Sequence, residues 1–341
     1  MFAKSLMLLI TLLAAEISAG ATIKLATLAP EGTSWMRELR GAGDTIKQRT
    51  EGRVLVKFFP GGVMGNDVAV LRKITLGQLQ GGAFSGAELS HIYPSAQVYS
   101  MPFLFDSLEE VAYVRERVDG LIRQGLLLGG YVVVGMSGGG FAYLMSTRPT
   151  NSREELRASK VWSMQNDQIS LIALKQGGVN PVTLPLGDVY TSLQTGLLET
   201  VAITTSGAIA FQWHTKIRHV VDLPLSYVLG VLVIEKKSFE RIAPADQQVV
   251  REVFEAAFRG LDKATVADNQ AARAVLEKQG IKFHRPDPNE VQYWRGISER
   301  TLQQMLSEGS IAEEVMAAIR QAQGEFRARA VPVAAPVADQ P

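Results

Sequence analysis

The chain has 341 residues, with 35 Lys and Arg against 34 Asp and Glu, a net charge of +1 and no cysteine. Near-neutrality leaves no electrostatic footprint for nucleic acid or an anionic membrane. The missing thiols exclude disulfides, thiolate catalysis and Cys-based metal sites.

In chain order, the first residues read as an export signal. Lys4 gives a positive start, Ser5 to Leu13 is almost wholly apolar, and Ala19-Gly20-Ala21 offers a small-x-small pattern with cleavage after Ala21. The apolar run is far shorter than the roughly 20 residues that span a bilayer. A mature chain from Thr22, long enough for two domains, is therefore expected in the periplasm, without direct membrane insertion.

Strands alternating with helices predict parallel α/β layers. Thr22 to Ala29 reads as a strand, Thr33 to Arg49 as an amphipathic helix capped by Thr33 or Ser34, and Arg53 to Phe59 as a second strand. Asp67 to Leu79 is helical, Gly81 to Ser85 a short strand, and Leu108 to Leu128 a helix. Tyr131 to Gly135 and Phe141 to Ser146 read as two strands joined by Gly138-Gly139-Gly140, where the chain crosses to a second lobe. In that lobe, Lys160 to Met164 and Val201 to Thr205 read as strands and Asp167 to Gln176 and Asp188 to Leu198 as helices. Pro224 to Ile234 returns as a strand. A long helical pattern opens at Pro244, stops at Gly280, and at about 1.5 Å per residue is long enough to bridge both lobes. A break at Gly260 into two ordinary helices is the alternative. The expected division is 22–135 with 225–260 as the first lobe, 136–224 with 261–327 as the second, and 328–341 as a disordered Ala/Val/Pro-rich tail.

One catalytic motif is present. Gly135-Met136-Ser137-Gly138-Gly139 matches the G-x-S-x-G nucleophile elbow after an apolar strand. The elbow also needs a following helix, whereas Phe141, Tyr143 and Met145 continue with strand alternation. His214, His219 and His284 could supply a triad partner and equally read as ordinary surface histidines. No metal-ligand spacing, phosphate loop or dinucleotide fingerprint occurs, so neither a metal nor a cofactor is expected. Without catalytic groups, an exported two-lobed α/β chain reads as a cleft binder, with a small molecule held between lobes.

Six segments carry a family resemblance. ATLAPEGTSW from Ala26, MPFLFDSLEEV from Met101, GGGFAYLMSTRP from Gly138, LRASKVW from Leu156, SLQTGLLE from Ser192 and DLPLSYVLG from Asp222 resemble, in order and spacing, the extracytoplasmic solute receptors of TRAP transporters, the DctP-like family. Coverage is nearly the whole mature chain. The resemblance implies a two-lobed periplasmic binding protein with a ligand cleft between the lobes, a long helix packing across both, and delivery of solute to the membrane subunits of an ion-gradient-driven TRAP permease. An exported serine hydrolase using Ser137 and a binding protein feeding a membrane sensor are the competing readings.

The resemblance also implies an Arg on a second-lobe strand that pairs with a ligand carboxylate. That position here is Trp162. A second Arg, which often follows the Gly-Phe of the crossover, is Ala142, and the usual Asn after the next strand is replaced near Ile203 or Thr204. Indole has one donor and an apolar face where guanidinium offers a bidentate fork, so a neutral, largely apolar or aromatic ligand is expected in place of a carboxylate. Trp35, Phe141, Tyr143, Trp162, Met164 and Trp213 are the candidate apolar contacts. Glu31, Ser34, Ser85, Gly86, Thr204 and Thr205 are the candidate polar ones, near strand ends where α/β sheets bind ligands. Strand alternation puts Lys160 on the face of Trp162 and Met164, and Glu31 beside tryptophans would also allow a cation, second to the neutral ligand.

Overall fold

The computed structural model describes residues 20–330, so the segment expected to be an export signal, up to residue 19, and the last eleven residues lie outside it. Strand β1 (Ala21–Thr27) begins at the residue after which cleavage is expected. Helix α1 (Ser34–Arg49) follows, with Thr33 as N-cap accepting from the Met36 N–H, and buries Met36, Leu39, Ala42 and Ile46 at helical spacing. It returns the chain to β2 (Val54–Phe59), which pairs parallel with β1. Next come α2 (Asp67–Thr75), capped by Asn66, β3 (Gly81–Ser85), also parallel to β1, and α3 (Leu108–Leu128), capped by Ser107.

The two strands expected around the glycine run are one. β4 (Tyr131–Ser146) is a continuous 16-residue strand with irregularities at Val133/Gly135 and Gly138/Gly140. Its glycines serve close packing more than a change of direction. A Cβ at Gly138 would lie 1.6 Å from the Tyr227 hydroxyl, and one at Gly135 would meet the Phe258 ring at 2.3 Å. Gly140 alone needs the left-handed region, at φ +91°.

The chain then forms α4 (Arg153–Arg157), β5 (Trp162–Met164), α5 (Gln168–Gln176), β6 (Val182–Leu184), α6 (Val189–Thr195), β7 (Thr200–Ile203) and α7 (Thr205–Ala210). After β8 (His219–Val221), strand β9 (Ser226–Glu235) runs antiparallel to β4 along ten residues of its length. The last elements are α8 (Lys236–Glu240), α9 (Pro244–Lys278), β10 (Lys282–His284), α10 (Pro288–Ser307) and α11 (Glu313–Ala330).

The large sheet has the order β10-β8-β4-β9-β3-β1-β2, with β7 also on β4. It is mixed where parallel layers were expected: β9 is antiparallel to β3 and β4, and β7 and β8 are antiparallel to β4. The reason is that β4 and β9 pass between the lobes in opposite senses and join their sheets.

Helix α9 is a single 35-residue helix through Gly260, on the order of 50 Å long. Phe254, Phe258 and Leu261 pack with Met36 and Leu39 in one cluster, and Leu276 with Trp213 and Val201 in another, so one helix spans both lobes. Helix α11 departs from the expected division. Its Val315, Met316, Ile319 and Ala322 pack with Val111, Val114, Val118 and Ile122 of α3, on the first lobe, and its helical turns continue through residue 330, past the expected start of a disordered tail.

The lobes touch directly where Asn166 Nδ2 donates to Asp67 Oδ2 at 3.0 Å. Asn166 holds φ +71°, a conformation Asn tolerates better than most residues. A single hydrogen bond contributes about 0.5–1.5 kcal/mol, so Asn166→Ala should shift the lobe-closure equilibrium toward open by about two- to tenfold. Small-angle scattering of the ligand-free protein should then give a larger radius of gyration than the wild type.

Candidate functional site

A cleft of about 680 Å3 opens at the carboxyl ends of β1 and β3, the edge of an α/β sheet where loops leave room for a ligand. Leu28, Pro30, Trp35, Phe84, Ser85 and Glu88 form the first-lobe wall. Leu186, Thr204, Ile209 and Phe211 face them from the second lobe, with Val228 to Gly230 of β9 and Ala272 of α9 closing the sides. Gly230 lets the Trp35 indole lie on β9, since a Cβ there would meet the ring at 2.3 Å. The same indole meets Phe258 edge-on at 5.4 Å between centroids, which fixes its plane.

The structure brings five of the predicted residues together in this cleft: Glu31, Ser34, Trp35, Ser85 and Thr204. The polar groups among them are largely engaged. Glu31 pairs with Arg40 at 2.6 Å, a contact that holds its carboxyl below the usual range, and Ser34 accepts from Arg37 at 2.9 Å. Thr204 caps α7, accepting from the Gly207 N–H at 3.0 Å.

Other predicted residues fall elsewhere. Phe141, Tyr143 and Thr205 line a separate groove of about 910 Å3 between α3 and α9. Trp162 is 8% exposed, stacks edge-on against Trp213 at 5.5 Å and donates its one N–H to the Leu184 carbonyl at 3.0 Å. It borders a smaller cavity of about 140 Å3. Trp213 is 1% exposed, and Met164 packs on the same second-lobe cluster. Gly86 lies under Ala96, whose carbonyl a Cβ would meet at 2.2 Å. Lys160 is exposed, its ammonium donating to the Gly196 carbonyl at 2.7 Å. Trp162 thus fills the second-lobe wall as core. Trp162→Ala should cost about 3–5 kcal/mol of stability, the range for truncating a buried aromatic, in urea denaturation of the ligand-free protein.

Sequence reasoning missed Leu28, Phe84, Leu186, Phe211 and Glu88. The first four look like ordinary core residues in a strand-and-helix pattern. Glu88 lies in an apolar stretch after β3, is 6% exposed, and accepts from the Ser85 N–H at 2.6 Å. Burial pushes its carboxyl up to about 7, with the charge of Asp67 adding to the shift and hydrogen bonds from Ser85 opposing it. Arg37 is the one basic side chain among the described lining residues, and its guanidinium is tied to the Gly32 carbonyl and Ser34.

The G-x-S-x-G match has a different explanation. Ser137 is fully buried inside β4, opposite Gly230, and its hydroxyl donates to Asp262 Oδ1 at 3.1 Å. Arg115 and the Gly138 N–H donate to the same oxygen at 2.7 and 2.8 Å. His214 lies 3.1 Å from the Ala208 carbonyl, and His219 and His284 contact each other at 2.9 Å. A strand-buried serine bonded to an aspartate that already neutralises an arginine does not form an elbow.

Two α/β lobes joined by long shared strands, with a cleft between them and a helix across both, define a bilobal solute-binding fold. The family model for bacterial extracellular solute-binding proteins of family 7, DctP, matches residues 25–308. The chain belongs to that family, the solute receptors of TRAP transporters. It is 22% identical over 249 residues to the 2,3-diketo-L-gulonate-binding periplasmic protein YiaO of Escherichia coli, covering 70% of this chain and 73% of that one. Among solved structures it is similar to the sugar acid binding protein DctPAm of Advenella mimigardefordensis in complex with galactonate, with a TM-score of 0.83, 18% identity, and coverage of 90% and 98% of the two chains. It is also similar to DctP7 of Bordetella pertussis, which binds pyroglutamic acid, with a TM-score of 0.82, 16% identity, and coverage of 89% and 100%. At such identity the shared property is the fold.

Proposed function

We propose that this protein is a periplasmic receptor that closes its two lobes on a small organic solute, held without a carboxylate–arginine pair, and hands it to the membrane subunits of a TRAP permease. The observation that carries the reading is the lining of the cleft. Its walls are mainly Leu28, Pro30, Trp35, Phe84, Leu186, Ile209 and Phe211, with Ser85, Glu88 and Thr204 among them, and the one basic side chain among the described lining residues is tied to the protein's own oxygens. A carboxylate taken into such a site would be desolvated without a partner, a loss of about 3–5 kcal/mol, or two to three decades of affinity. The named relatives that bind 2,3-diketo-L-gulonate, galactonate and pyroglutamic acid support a small organic solute; the lining argues against the same charge. Export with cleavage after Ala21 would deliver the chain to the compartment where such receptors work. Thermal-shift titration should show no stabilisation by sugar acids or dicarboxylates at millimolar concentration. Micromolar binding of any of them in the cleft would overturn the reading.

A further inference from the structure

We propose that the solute carries an ammonium group, held by the Glu88 carboxylate on the first-lobe wall of the cleft, with its apolar body against Phe84 and Trp35. The inference rests on reading this cleft as the solute site and adds the sign of the charge. Glu88 lines both the cleft and the small cavity behind it that Asp67 also borders. It is 6% exposed and belongs to no ion pair among the described residues. Buried carboxylates are ordinarily paired or coordinate a metal, and here the hydrogen bonds come from Ser85 alone. The charged neighbours sharpen the imbalance. Asp67, buried at the start of α2, accepts from Asn166, and Asp268 of α9 lines the same cleft. Glu31 is neutralised by Arg40, and Arg37 is exposed at the rim. The cleft therefore presents uncompensated negative charge beside aromatic rings, the combination that recognises an organic cation. An ammonium at Glu88 supplies the missing counter-charge and draws the carboxyl, otherwise pushed up by burial, into its ionised form.

The test is calorimetric titration of the full chain expressed in and recovered from a periplasmic fraction. The probes are two sets of isosteres: 2-phenylethylammonium, 2-phenylethanol and 3-phenylpropionate, and isopentylammonium, isopentanol and 4-methylpentanoate. The ammonium of at least one set should bind at least about tenfold tighter than its alcohol and acid, the scale of a charge-assisted hydrogen bond. Glu88→Gln should erase that preference, Glu88→Asp should keep part of it, and Leu186→Trp, which fills the cleft, should abolish binding of every probe. Equal or tighter binding of an alcohol or acid, removed by Leu186→Trp, overturns the ammonium and leaves the cleft as solute site. Unchanged ammonium binding in Glu88→Gln also overturns it. If no probe binds, or binding survives Leu186→Trp, the reading of the cleft itself fails and the inference with it.

Discussion

Replacing Glu88 with glutamine should raise the stability of the ligand-free protein by about 3 kcal/mol at pH 8 and by less than about 1 kcal/mol at pH 5. Burial lifts the folded-state carboxyl to about 7 from its ordinary 4.5. Between those values the folded state binds the extra proton, so its stability is full below about 4.5 and falls as pH rises through about 7. Glutamine keeps the shape and the acceptor for the Ser85 N–H, and it has no proton to lose. The variant should therefore be flat over a pH range where the wild type declines. Urea denaturation at the two pH values reads the difference directly, and equal wild-type and variant stability at pH 8 would contradict the assignment of an uncompensated buried carboxyl. Gain of stability with loss of binding is the signature of a group kept for function.

Asp262→Ala is expected to cost about 1.5–3 kcal/mol, the scale for charge-assisted hydrogen bonds, since the Asp262 carboxylate is partly exposed. One oxygen, Oδ1, accepts from Arg115, the Ser137 hydroxyl and the Gly138 N–H. Arg115 is 12% exposed in its side chain and, when Asp262 is gone, retains Asp119 and the Met136 carbonyl, each at 3.1 Å. The three donors lie on α3 and β4 while the acceptor lies on α9, so the contact pins the long helix to the strand shared by both lobes. Asp262→Asn should cost less, since an amide oxygen still accepts. Ser137→Ala should cost least, about 1 kcal/mol for a single hydrogen bond. If Asp262→Ala and Ser137→Ala prove equally mild in urea denaturation, the network does not tether the helix.

The ends of the helices were legible because capping is local chemistry. Thr33, read as a cap, accepts from the N–H three residues on, and the helices read as starting at Leu108 and Asp167 are capped in the same way by Ser107 and Asp167. The βαβ opening was legible for the same reason. The glycine run was misread because glycine's freedom reveals nothing about its neighbours: Tyr227 and Phe258, distant in sequence, press against Gly138 and Gly135 and keep the strand extended. The lobe of residues 313–327 was misassigned because their partner, α3, lies some 200 residues earlier in the chain.

At the site, sequence order placed Trp35, Ser85 and Thr204 near strand ends, which was enough to bring them into one cleft. Trp162 shows where that logic stops. Its place on β5 follows from pattern, yet the direction of its ring is decided by the Leu184 carbonyl and Trp213. Phe141 and Tyr143 turn into the other groove because the irregularity at Gly138/Gly140 resets which face of β4 they occupy. Glu88 carried no signal at all, since a lone glutamate before Leu89 and Ser90 reads as solvated and only tertiary packing buries it.

The claim that this receptor holds a solute lacking a carboxylate is tested most directly by purifying the protein from its own host, denaturing it, and identifying the released small molecule by mass spectrometry. A compound with no carboxylate should be released in near-stoichiometric amount and be absent from the Leu186→Trp variant prepared in the same way. A sugar acid or dicarboxylate released in that amount, and lost in that variant, would contradict it.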